Sequence, residues 1–133
     1  MAKRGKMIAV AERWRAVVSF DGLYADAYQI SNLGSCRSIK RERAGRDGSI
    51  RAVKGKILSP RIRENGTRAV NLWHGNTYQQ VPVKQLVLEA WRGPCPDNYE
   101  PVNVNGDPSD NRLVNLAWRP AGGLALLRKR LGR

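Results

Sequence analysis

The sequence predicts an α+β fold: a small β-rich N-terminal module, then a ββα core ending in a basic C-terminal helix. Three observations lead there. Between Trp14 and Val83 the apolar residues fall in short runs broken by turn-forming clusters at Asp21-Gly22, Asn32-Leu33-Gly34 and His74-Gly75-Asn76. Only Lys84 to Trp91 places its apolar residues, Leu86, Val87, Ala90 and Trp91, at helical spacing. Beyond it, two more strand-like runs flank a polar loop and lead into a leucine-containing tail.

Taken in order, Trp14 to Phe20 reads as a strand entering the Asp21-Gly22 turn, and Tyr28–Ile30 and Cys36–Ile39 as strands around Asn32-Leu33-Gly34. Lys40 to Arg51 has two glycines, many basic residues and little periodicity, and is expected to be a mobile loop. Arg68–Trp73 and Tyr78–Val83 form a hairpin through His74-Gly75-Asn76-Thr77. Gly93-Pro94 stops the helix. Glu100–Val104 and Ala117–Arg119 supply the next strand pair, and a helix from about Ala121 runs through Leu124, Leu126 and Leu127 into Arg128-Lys129-Arg130. Gly122 and Gly123 weaken its start. The expected divisions are a basic arm at 1–11, a β-rich module at 12–68 and the core with its basic helix at 69–133.

The 133 residues carry a formal net charge of +13. Its placement is more informative than its size. From Arg37 to Arg68 eleven basic residues, Arg37, Lys40, Arg41, Arg43, Arg46, Arg51, Lys54, Lys56, Arg61, Arg63 and Arg68, face only Glu42, Asp47 and Glu64. From Ala69 to Leu127 the charges nearly cancel, and Arg128 to Arg133 is basic again. The positive field therefore belongs to the first module and the tail, as expected of a nucleic-acid binder. A mimic of DNA, which must be acidic, is excluded. No run approaches the roughly 20 apolar residues of a membrane helix, and the basic start lacks the long apolar core of a secretory signal. A cytoplasmic protein is expected. Two cysteines, Cys36 and Cys95, and one histidine, His74, cannot make a four-ligand zinc site. Cys36 reads as a small buried hydrophobe and His74 as an exposed turn residue. Trp91 and Trp118 read as core aromatics, and Trp73 as the best base-stacking candidate.

The most specific stretch is Val102-Asn103-Val104-Asn105-Gly106-Asp107-Pro108-Ser109-Asp110-Asn111-Arg112-Leu113-Val114-Asn115-Leu116-Ala117-Trp118. It resembles the core of the HNH homing endonucleases, V-N-H-I-N-G-D-x-x-D-N-R-x-x-N-L-x-W, with the histidine missing. Upstream, Trp14 to Tyr24 with Ile30-Ser31-Asn32-Leu33-Gly34, then Lys54-Gly55-Lys56-Ile57-Leu58-Ser59-Pro60, resemble the nuclease-associated modular domain that precedes that core. Val83 to Trp91 is similar to the family helix V-H-R-L-V-x-x-A-F, with Lys84 in place of its histidine. The resemblance covers roughly residues 12 to 119 and implies a phage-type protein.

The same resemblance assigns roles by position. The general base falls on Asn103, one metal ligand on Val102 and a second near Leu124. An amide takes no proton at neutral pH, and valine and leucine offer nothing to a hard cation. Loss of a positioned base alone costs about 10²- to 10⁴-fold in rate. Asn115, which the family uses to tie down the loop presenting the base, is retained. The expectation is therefore a degenerate HNH-like protein: not an enzyme, without cofactor or metal, binding nucleic acid non-enzymatically. The partner expected is double-stranded DNA, and the binding residues are the eleven basic side chains from Arg37 to Arg68 with Arg128, Lys129 and Arg130. The process would be that of a phage accessory or regulatory factor. An alternative is a phage protein that binds and modulates a host protein or nucleoprotein complex. A third reading is an active DNA-nicking endonuclease with relocated groups, Asp107 and Asp110 being candidates.

Overall fold

The computed structural model describes residues 10–39 and 41–122. The expected C-terminal helix, with Leu124, Arg128, Lys129 and Arg130, lies outside the described residues, as does Lys40. The chain forms β1 (Trp14–Ala16), β2 (Tyr28–Ser31) and β3 (Cys36–Ser38) as one antiparallel sheet in the order β1-β2-β3. A separate ribbon, β4 (Arg41–Ala44) and β5 (Ile50–Val53), follows. Next come β6 (Arg61–Ile62), β7 (Arg68–His74) and β8 (Thr77–Pro82), paired β6-β7-β8, then α1 (Val83–Arg92). The last pair is β9 (Tyr99–Asn103) with β10 (Leu116–Pro120). The class is α+β, as the sequence predicts, with expected strand ends moved by one or two residues.

Two expectations fail for local reasons. The strand begun at Trp14 stops at Ala16, because Phe20–Gly22 coils into a 3-10 turn with Phe20 and Asp21 both at positive φ. The segment after Lys40 is not a loop but the β4–β5 hairpin. Its turn is set by Asp47, whose Oδ1 accepts from the Ser49 backbone N–H at 3.0 Å and hydroxyl at 2.6 Å, while Gly48 takes φ 82°. Ile50, in β5, is exposed.

One core holds everything else together. Val17, Tyr28, Ile30 and Cys36 of the first module join Val70, Leu72 and Val81 of the second sheet, Leu86, Val87 and Leu88 of α1, and Leu116 of β10. The helix forms because Val83, Leu86, Val87, Ala90 and Trp91 recur on the core side, and it ends where Gly93 adopts φ 86°. Leu88 is buried as well, although the helical pattern gave no reason to choose it. Burial pushes the Cys36 thiol up to about 12, consistent with an inert core side chain. Among the described residues no helix is long and apolar enough to cross a membrane.

Leu86 belongs to a cluster shared by both sheets, so Leu86→Ala is expected to cost about 2–5 kcal/mol within a single cooperative transition. Chemical denaturation followed by tryptophan fluorescence checks this. Two separate transitions would show that the modules unfold independently.

Candidate nucleic-acid interface

The β6-β7-β8 sheet turns one face to the core and one to solvent. Val70, Leu72 and Val81 point inward. Period-two alternation and the register Arg61↔Ala69, Asn71↔Gln80 and Trp73↔Tyr78 put Arg61, Asn71, Trp73, Tyr78 and Gln80 together on the outer face. Trp73 and Tyr78 stack there with ring centroids 4.7 Å apart, and Trp73 is 49% exposed. Beside them Lys54, Lys56 and Arg61 line a groove of about 580 Å³ whose walls include Asn71 and Trp73. Basic, amide and aromatic side chains thus meet on one surface.

The eleven basic residues from Arg37 to Arg68 do not all stand free. Arg37 stacks over Trp14 at 3.9 Å and donates to Gln29 Oε1 at 2.9 Å. Arg63 donates to Gln80 Oε1 at 3.0 Å, and Arg68 to the Gly66 carbonyl at 2.6 Å. Arg46, Arg51, Lys54, Lys56 and Arg61 are exposed. Arg41 and Arg43 lie in β4.

The second region is the loop between β9 and β10. Asn115 is buried and works as a clamp: its Nδ2 donates to the Asp110 carbonyl at 2.8 Å and to Asn105 Oδ1 at 2.9 Å, and its Oδ1 accepts from the Asn105 N–H at 3.1 Å. Asn103 reaches the same Asp110 carbonyl at 2.8 Å and Asn111 Oδ1 at 2.9 Å. An imidazole nitrogen carries a single N–H and cannot make both bonds. The Asn103 amide is thus a structural fastener, a role the sequence pattern did not signal. Asp110 is gripped by the Arg112 fork at 2.7 and 2.8 Å and by Asn105 at 3.1 Å. The Arg112 hydrogen bond leads the effects that hold its carboxyl down to about 2. Asp107 Oδ1 is taken by the Ser109 N–H and hydroxyl.

Two glycines of the first module dock this loop. A Cβ on Gly34 would meet the Asn111 carbonyl at 2.9 Å, and one on Gly66 would meet Pro108 Cγ at 2.8 Å. Asn32 adds a direct tie: its carbonyl accepts from the Leu113 N–H at 2.8 Å, while its side chain holds the Arg13 N–H and the Ala11 carbonyl.

Comparison with known proteins matches this arrangement twice. Residues 12–73 match the NUMOD4 motif and residues 81–123 match an HNH endonuclease domain, together most of the chain. Together the two matches are consistent with the HNH homing endonuclease family. Its fold is similar to that of the HNH homing endonuclease I-HmuI, whose structure concerns DNA binding and cleavage, with a TM-score of 0.62 at 21% identity. That alignment covers 90% of this chain and 59% of the other, so the chain spans little more than half of the solved nuclease. No curated protein sequence matches significantly.

These matches correct one expectation. Reasoning from Val102 and Asn103 led to a protein that is not an enzyme; the HNH endonuclease match over residues 81–123, with the homing-endonuclease fold, points instead to a nuclease. A base or ligand can sit elsewhere on the same hairpin. The motif positions themselves do not fit a divalent metal. Val102 has no donor atom, Asp107 and Asp110 are engaged in the loop, and no group of three His, Cys, Asp or Glu among the described residues could hold an ion.

Asp110 supplies the pH test. A carboxyl held at about 2 when folded, against about 3.9 when unfolded, adds stability that is present above pH 4 and lost as pH falls through 2. The stability gap between wild type and Asp110→Asn is therefore expected to shrink between about pH 4 and 2. Thermal unfolding across that window measures it, and a constant gap would reject the assignment.

Proposed function

We propose that the protein binds double-stranded DNA through its first module and the outer face of β6-β7-β8, and cleaves the backbone at the HNH hairpin. The observation that carries the binding half is the groove where Lys54, Lys56 and Arg61 adjoin Asn71 and Trp73. The lysines and arginine suit phosphates, while amide side chains on a β-ribbon suit base edges in the major groove, which admits such a ribbon. The near-neutral charge of the second half fits a division of labour in which the first module supplies affinity. DNA binding and cleavage by I-HmuI, which shares the fold, support the same reading.

The cleavage half rests on the family. Phosphodiester hydrolysis needs a proton acceptor beside the attacking water, and Asn103 is an amide committed to two hydrogen bonds. Glu100 lines the same cleft as Val102 and Asn103 and provides a carboxylate for that purpose. It stands two residues before Val102 on β9, so the two side chains share a face.

Binding is checked by fluorescence anisotropy on a short duplex over a range of salt. Replacing Lys54, Lys56 and Arg61 by glutamine is expected to flatten the slope of log K against log salt by about 0.9 per lost phosphate contact. A triple variant with the wild-type slope would move the footprint elsewhere. Cleavage is checked by nicking of supercoiled plasmid in Mg²⁺ or Mn²⁺, where Glu100→Gln is expected to slow the reaction by about 10²- to 10⁴-fold. An unchanged rate would exclude Glu100 as the acceptor. No nicking by wild type would reject strand scission and leave DNA binding standing.

A further inference from the structure

One cleft gathers charge from three separate elements. Lys84 comes from the first turn of α1, Glu100 from β9 and Arg119 from β10, while Asn65 and Thr67 close it from the turn before β7. Its volume is about 360 Å³, and Val102 and Asn103 are also among its lining residues. The β9–β10 register sets Arg119 opposite Glu100 and Ala117 opposite Val102, so these four side chains share one face. The charges do not balance, since two cations meet one carboxylate. Arg119 donates to Glu100 Oε2 at 3.2 Å, but the Arg119 side chain is 63% exposed. An ion pair that open contributes little, so its guanidinium turns to another anion at little cost. Lys84 has no salt-bridge partner within 4 Å among the described residues. Desolvation is the leading effect on its ammonium and lowers its pKa, with Glu100 opposing and Arg119 and Arg63 reinforcing. A partly desolvated cation beside a second cation is a site short of an anion.

We propose that this cleft seats a phosphodiester of bound DNA, with Lys84 and Arg119 as its donors. The inference deepens the DNA-binding reading and rests on it. Val102 shares the face of Glu100 and Arg119, so the two cations supply positive charge beside a side chain that offers a metal nothing. Lys84 acts as a compact point charge with three donors, and Arg119 as a planar fork able to grip two phosphate oxygens. Glu100 restrains the cleft electrostatically in the absence of DNA and is the group that the phosphate displaces from Arg119.

The test is a salt titration of the full chain with a 20-base-pair duplex in buffer containing EDTA. Lys84→Gln and Arg119→Gln are each expected to reduce the slope of log K against log salt by about 0.9. Lys84→Arg, which keeps the charge, should retain the wild-type slope, and Glu100→Gln should tighten binding. Thermal unfolding of each variant confirms that the fold is intact. Wild-type binding with an unchanged slope in both glutamine variants would overturn the seat while leaving DNA binding in place. A loss in Lys84→Arg equal to that in Lys84→Gln would also overturn it, because a purely structural lysine would then explain the effect. Absence of any duplex binding by wild type would reject the DNA reading and the seat together.

Discussion

The structure of the second module depends on one carbonyl. Asp110 lies in a loop that has no core of its own, and its oxygen accepts from both Asn103 and Asn115. A buried amide left without a partner costs about 1–3 kcal/mol, so these two side chains fix the loop by leaving it no comparable alternative. Asn105 and Asn111 complete the set, each answering one of the two clamps. The consequence reaches beyond the loop. With 105–115 fixed, the Asn32 carbonyl and the glycines at 34 and 66 find a rigid surface to pack on. The relation between basic module and hairpin then follows from hydrogen bonds and close backbone contact as well as from the shared apolar core.

This arrangement explains why asparagine suits position 103. A neutral histidine there could offer the loop a single N–H. Asparagine offers two N–H groups, and both are used inward. Charge in the cleft that Asn103 lines is left to Lys84, Glu100 and Arg119, which reach the same space from other positions.

Much of the fold was legible because its strands and helix each bury one face. The β7–β8 hairpin and α1 were readable from Val70, Leu72, Leu86 and Val87, whose spacing is imposed by a core. The β4–β5 ribbon was not, because its basic residues and glycines gave little periodicity and its turn depends on Asp47 and Ser49 bonding to one another. The site was legible as a motif and misleading as chemistry. Missing groups at Val102 and Asn103 are facts of sequence, whereas the convergence of Lys84, Glu100 and Arg119 is a fact of folding: 84 and 119 are far apart in the chain and meet only because α1 packs against the β9–β10 pair. In the sequence Lys84 stood out only as a departure from the family helix, and Arg119 not at all.

The division of charge has a mechanical reading as well. The first module holds the exposed cations, Lys54, Lys56 and Arg61, in a groove bordered by the outer face of β6-β7-β8. That sheet runs through β8 directly into α1, whose first turn carries Lys84. On the proposed reading, a duplex held at the groove is connected to the cleft by a strand that passes directly into the helix. Electrostatic attraction by the basic surface is long-ranged and weakly oriented, falling off over about 8–10 Å at ordinary salt. Seating of a single phosphate is short-ranged and directional. Placing the first on an exposed ribbon face and the second in a cleft fixed by the Asn103–Asn115 clamp separates capture from positioning, and the rigidity of the clamp is what makes the positioning meaningful.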